Sequence, residues 1–143
     1  MMKNDEGSRQ EAEVKTILMI DDSVVMLKHA WEILRQFTDR YRVIPVTSGE
    51  EGLRVLSNNK VDVDLIILEY KMQKMDGFTF LEEMRKRRID IPVILTAQQM
   101  SREIMNETVP MGVVGFLNKP YPQTSMINML HSILYESDTD NLR

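Results

Sequence analysis

Leu65-Ile66-Ile67-Leu68-Glu69-Tyr70-Lys71-Met72-Gln73-Lys74-Met75-Asp76-Gly77 is the stretch from which the fold can be read. It opens as an unbroken apolar run, the pattern of a strand buried on both faces. The run stops at a carboxylate, passes through a polar loop and reaches Asp76-Gly77 at the head of an amphipathic helix. In an open α/β sheet the ligand crevice lies just beyond the carboxyl ends of the strands, so Glu69 stands where a ligand is met. Three other apolar runs supply companions at their ends: Asp21-Asp22, Thr96 and Lys119.

Outward from that stretch, the same unit repeats. Lys15 to Ile20 is a short apolar run that ends at Asp21-Asp22-Ser23, a strand followed by a helix start that Asp22 or Ser23 can cap. The spacing of Met26, Ala30, Ile33, Leu34 and Phe37 predicts the core face of that helix. Tyr41 to Thr47 is a second strand, and Pro45 within it suits a sheet edge. Ser48 caps a helix carrying Leu53, Val55 and Leu56, with Glu50-Glu51 in its acidic first turn. The third strand is Val63 to Leu68, and the helix after Asp76-Gly77 is expected to turn Phe78, Leu81 and Met84 inward. Ile91 to Leu95 is the fourth strand, followed by a helix over Ser101 to Thr108 that Pro110 keeps short. Gly112 precedes a fifth strand, Val113 to Leu117; Asn118-Lys119-Pro120 is the last loop. Met126, Met129, Leu130, Ile133 and Leu134 mark the final helix.

Five strands alternating with five helices predict an α/β fold with a parallel sheet covered on both faces, a three-layer sandwich. Residues 1–13 read as a mobile leader, 14–136 as one domain and 137–143 as a frayed tail. A length of 143 residues is enough for one hydrophobic core. No window is apolar for long enough to span a membrane, and the first residues lack a signal-peptide core; a cytoplasmic location is the default expectation. Cysteine is absent, which removes disulfides, thiolate nucleophiles and Cys-based metal sites. The net charge of −4 argues against direct nucleic-acid binding, since such proteins carry a basic face. Arg85-Lys86-Arg87-Arg88 reads as cations favouring a helix C-terminus rather than as a phosphate patch. The 12 methionines read as adaptable core filling, with a few on a contact surface.

Clustered carboxylates at one rim repel each other unless a cation joins them. Oxygen-rich sites of this kind suit Mg2+, which keeps several waters and shares its shell with a phosphate. An adjacent lysine and a threonine hydroxyl can hold phosphoryl oxygens, which is a phosphoryl-transfer arrangement. Each residue alone also has a plain structural use as a helix or turn cap.

Ile20-Asp21-Asp22-Ser23, Asp64 to Leu68, Met75-Asp76-Gly77, Leu95-Thr96-Ala97 and Gly115 to Pro120 together resemble the receiver domain of two-component response regulators, over about residues 14 to 136. The resemblance implies a flavodoxin-like (βα)5 fold with strand order 2-1-3-4-5, an order for which the family itself is a standard illustration. It implies that Asp21 and Asp22 hold Mg2+, with Asp22 the more direct ligand, joined by position 69 and by the main-chain carbonyl of Lys71. It assigns Thr96 as the switch hydroxyl, Lys119 as the phosphate-pairing lysine, Phe116 as the aromatic switch, and a cis bond to Lys119-Pro120. The implied partners are a histidine kinase or phosphotransfer protein and a downstream effector. The effector would dock on the face formed by the fourth helix, fifth strand and fifth helix.

Two positions depart from the family. Gln73 stands where proline is usual, which loosens the loop. Glu69 stands where the phosphoacceptor is aspartate, and its extra methylene carries the carboxylate roughly 1 Å further into the crevice, a misplacement that can cost about 10²-fold where alignment matters. Its oxygens then fall within reach of Thr96 and Lys119, as a partial mimic of a phosphoryl group. The leading reading is an atypical, phosphorylation-independent receiver that acts through protein contacts, with Mg2+ bound weakly if at all. The alternatives are an active Mg2+-dependent phosphoacceptor limited to self-phosphorylation and autodephosphorylation, and a receiver with a laboratory phosphomimetic change. A flavodoxin is the rival of similar topology, but carboxylates end the first strand where a phosphate loop needs donors.

Overall fold

The computed structural model describes residues 14–136; the leader over 1–13 and the tail over 137–143 lie outside the described residues. The strands are β1 (Lys15–Ile20), β2 (Tyr41–Val46), β3 (Leu65–Glu69), β4 (Val93–Ala97) and β5 (Val113–Asn118). The helices are α1 (Val24–Leu34), α2 (Gly49–Leu56), α3 (Gly77–Lys86), α4 (Arg102–Thr108) and α5 (Gln123–His131). All pairings are parallel, in the order β2-β1-β3-β4-β5. This is the three-layer sandwich that the alternating pattern predicts, with the flavodoxin-like strand order that the resemblance implies. β3 and β4 are buried along their whole length, while Pro45 lies exposed on edge strand β2.

Side-chain alternation divides the core in two. Ile17, Met19, Leu65, Ile67, Ile94 and Leu117 face the layer of α1 and α5. Leu18, Ile20, Ile66, Leu68, Val93 and Leu95 face α2 and α3. The register of β5 shifts at its start: Val93 pairs with Val113, but Ile94 pairs with Gly115. Val114 is the extra residue of a bulge and stands 55% exposed. After it, Phe116 joins the α2/α3 layer and Leu117 the α1/α5 layer.

Capping follows the sequence. Ser23, Ser48, Asp76 and Ser101 each accept a backbone N–H three residues on. Ser101 begins a seven-residue helix that stops at Thr108, and Pro110 follows in a 3-10 turn closed by Gly112 at φ 95°. The basic cluster behaves as the helix-end reading expects: Arg85 and Lys86 occupy the last turn of α3, and Glu83 pairs with Lys86 and Arg87, each at 3.5 Å.

Several boundaries and faces differ from expectation. β3 starts at Leu65, not Val63, because the Asp64 carboxylate accepts the Thr16 N–H at 2.8 Å outside the ladder. β4 starts at Val93 and includes Thr96 and Ala97, leaving Ile91-Pro92 before it. In α1 it is Leu27 that is buried, while Met26 and Phe37 pack half-buried and Phe37 falls in a 3-10 turn. In α2 the inner face is Gly49, Gly52 and Leu53, with Val55 and Leu56 half-buried. In α3 Phe80, not Phe78, is fully buried.

That last register is set by Gly77. A Cβ there would lie 2.8 Å from both the Glu69 carbonyl oxygen and the Tyr70 Cα, backbone atoms that cannot rotate aside. Gly77→Ala is therefore expected to cost about 1–3 kcal/mol in urea unfolding. A loss within a few tenths would show that the loop relaxes freely.

Candidate functional site

Residues two apart on a strand share a face. Ile17 and Met19 point to the α1/α5 layer, and Asp21, next in that series, does so just past the end of β1. Leu65 and Ile67 lead to Glu69, Ile94 to Thr96, and Leu117 to Lys119. Four strand ends thus deliver two carboxylates, a hydroxyl and an ammonium to one side of one rim. Asp22 has the opposite parity and is exposed.

The four groups touch. Lys119 Nζ donates to Glu69 Oε1 at 2.6 Å and to Asp21 Oδ2 at 2.8 Å. Thr96 Oγ1 donates to the same Glu69 Oε1 at 3.2 Å. Glu69 Oε2 accepts the Lys71 N–H at 3.2 Å, and Asp21 Oδ1 accepts the Ser23 N–H at 2.9 Å. The side chains of Asp21, Glu69 and Lys119 are 5–7% exposed, so these are buried ion pairs and not surface contacts. Burial alone would lower the Lys119 pKa; the hydrogen bonds and charges of Asp21 and Glu69 outweigh it and hold the ammonium above its ordinary value.

Of the residues the sequence nominates, Asp21, Glu69, Thr96 and Lys119 come together. Asp22 lies apart, its Oδ2 accepting the Gln73 N–H at 3.2 Å. Lys71 is tied in through its N–H. Phe116 is half-buried against the α2/α3 layer, away from the ion pairs. The Lys119-Pro120 bond is cis. An open cleft of about 390 Å³ lies over the site, lined by Asp22, Glu69, Lys71, Gln98, Gln99 and Lys119 among others.

Tyr121 escaped the sequence reading. It is 3% exposed, and burial, followed by the charges of Asp21 and Glu69, pushes its phenol above the ordinary range. Its only signal was an aromatic residue two positions after Lys119. The Ser23, Lys71 and Gln73 N–H donors carry no signal, because every non-proline residue has one.

The donor chemistry suits a hard divalent cation, and Asp22 and Glu69 both line the cleft. Asp21 and Glu69, however, converge on the Lys119 ammonium, which engages one oxygen of each. Among the described residues no group of three or more His, Cys, Asp or Glu side chains is disposed to hold a metal. What the arrangement does chemically is hold an anion: one oxygen receives an ammonium and a hydroxyl in a buried setting, where such bonds are strong.

The family model described as response regulator receiver domain matches residues 17–131. The transcriptional regulatory protein GlrR of Escherichia coli is 33% identical over 121 residues, covering 85% of this chain and 26% of its own length. The response regulator SaeR of Staphylococcus aureus is 28% identical over 95 residues, covering 66% of this chain and 40% of its own. This chain therefore spans a quarter to two fifths of those relatives. Among solved structures, a CheY-like receiver domain protein from Methanospirillum hungatei superposes with a TM-score of 0.78 at 24% identity, covering 89% of this chain and 98% of that one. Chemotaxis protein CheY4 of Vibrio cholerae gives 0.75 at 24% identity, covering 85% and 99%.

Proposed function

This chain belongs to the response regulator receiver domain family, and we propose that it is an atypical member whose conformation is set without phosphoryl transfer, Glu69 standing where receivers carry the acceptor aspartate. The observation that carries the reading is that Glu69 Oε1 already takes Lys119 at 2.6 Å and Thr96 at 3.2 Å. These are the two groups that a receiver uses for the phosphoryl oxygens, and here the chain's own carboxylate occupies them. A carboxylate brings one negative charge where a phosphoryl group brings more, so Glu69 biases the switch toward its responding state by the difference in interaction energy and no further.

Signal output in this reading passes through protein contacts. The face of α4, β5 and α5 exposes Val109, at the end of α4, and Val114, and an effector would meet it there. A histidine kinase or phosphotransfer protein is a partner only if the site accepts a phosphoryl group. Among the described residues no helix is long and apolar enough to cross a membrane.

The test is incubation of the protein with acetyl phosphate, or with beryllofluoride, in the presence of Mg2+. The expected result is an unchanged intact mass and no bound fluoride signal. Near-stoichiometric labelling at Glu69 would overturn the reading in favour of an active phosphoacceptor.

Magnesium enters only as a weak ligand at Asp22 and the Lys71 carbonyl, because Lys119 already engages Asp21 and Glu69, the other members of the set that the family implies; bound there, it would neutralise charge at the cleft. Titration with MgCl2 followed by NMR is expected to move the Asp22, Lys71 and Gln73 amides without early saturation. A titration that moves none of them would remove the metal from the reading.

A further inference from the structure

At the other end of the sheet, where strands begin, the chain carries a second built concavity. Trp31, the chain's single tryptophan, stands 45% exposed on α1. The Arg35 guanidinium, one helical turn on, lies 5.1 Å from its ring centroid, a cation–π pair. Beside them opens a cavity of about 340 Å³ whose walls include Trp31, Leu34, Arg35, Tyr41, Arg42 and Val43. Among the described residues that line it two are arginines and none is a carboxylate, in a chain whose net charge is −4. Tyr41 forms part of the wall and is 3% exposed.

We propose that this cavity is a docking site for a partner protein, taking a short acidic segment with one apolar anchor. The anchor enters between Trp31, Leu34 and Val43, and flanking carboxylates pair with Arg35 and Arg42. Charge complementarity selects this occupant: a basic segment meets two like charges, and a neutral one leaves both guanidinium groups unanswered. Trp and Arg are also the residues that carry most binding energy at interfaces when they surround a pocket. β1 runs six residues from this end to the rim, roughly 20 Å. The cavity and the Glu69 site can therefore be occupied together, which gives the domain a second point of attachment. The inference does not depend on how Glu69 works.

Because Trp31 is the only indole, its emission reports this site alone. The full chain is titrated with the peptide acetyl-Glu-Glu-Leu-Phe-Glu-Glu-amide and with its counterpart carrying Gln for every Glu. The expected result is a saturable blue shift of Trp31 emission with the acidic peptide. The Gln peptide, or the variants Arg35→Glu and Arg42→Glu, should bind about tenfold or more weakly. Glu69→Ala should bind as the parent does, which separates failure here from failure at the rim. No saturable shift, or equal affinity for both peptides, overturns the proposal. So does binding that emerges only when Glu11 and Glu13 are replaced by Gln, since the occupant is then the chain's own leader. Circular dichroism of the arginine variants confirms that a loss is not unfolding.

Discussion

Lys119→Met is expected to destabilise the domain by about 3–5 kcal/mol at neutral pH, more than any other single change at the rim. The reason is asymmetry. With the ammonium present, Asp21 and Glu69 are answered at 2.8 and 2.6 Å. Without it, two carboxylates remain together in a buried setting with no cation between them. The parent also carries a pH signature that this variant lacks. Lys119 has a raised pKa when folded, so its stabilisation is complete below the ordinary lysine value of 10.5 and is lost as pH rises through the folded value. Tyr121, also raised, loses its contribution on the same alkaline side, from its ordinary 10.0 upward. Urea unfolding of both proteins at neutral pH and on the alkaline limb measures this. A loss below about 1 kcal/mol would put the pair in the class of exposed salt bridges and contradict its burial.

Glu69→Asp is expected to raise labelling by acetyl phosphate about 10²-fold or more over the parent. The shorter side chain draws its carboxylate back by one methylene, which lengthens the contacts to Lys119 and Thr96 and opens their donors toward the cleft. Stability should fall by about 1–3 kcal/mol, the usual cost of leaving buried donors without their partner. Both readings come from one sample: intact mass after incubation with acetyl phosphate and Mg2+, and the urea midpoint. If Glu69→Asp labels no better than the parent, the length of the side chain is not what prevents transfer, and Gln73 and the loop around it become the next place to look.

Much of this site was legible in the sequence because each of its members closes an apolar run, and the end of a buried parallel strand is a defined place in space. Asp21, Glu69, Thr96 and Lys119 could be nominated on that ground alone. Phe116 was nominated by resemblance, and what the strand pattern could not show was which layer its ring joins. Phe78 and Phe80 are two apart, and the choice between them turned on how closely Gly77 approaches the Glu69 carbonyl, which no periodicity reports. Val63 and Ile91 are apolar enough for strands, yet the Asp64 carboxylate takes the Thr16 N–H and Pro92 has no N–H to donate, so the strands begin after them. The Trp31 cavity joins α1 to the first residues of β2, and so has no linear signature at all.

The surplus residue in β5 has a consequence for the whole rim. Counting back from Lys119 in steps of two reaches Val113, whose side chain lies in the layer opposite to that of Leu117. An uninterrupted zigzag from Val113 would therefore send the ammonium to the wrong side of the sheet. Val114 supplies the half-period of delay that turns it back toward Asp21 and Glu69. The charge balance of the crevice thus depends on a solvent-facing valine that touches none of its members.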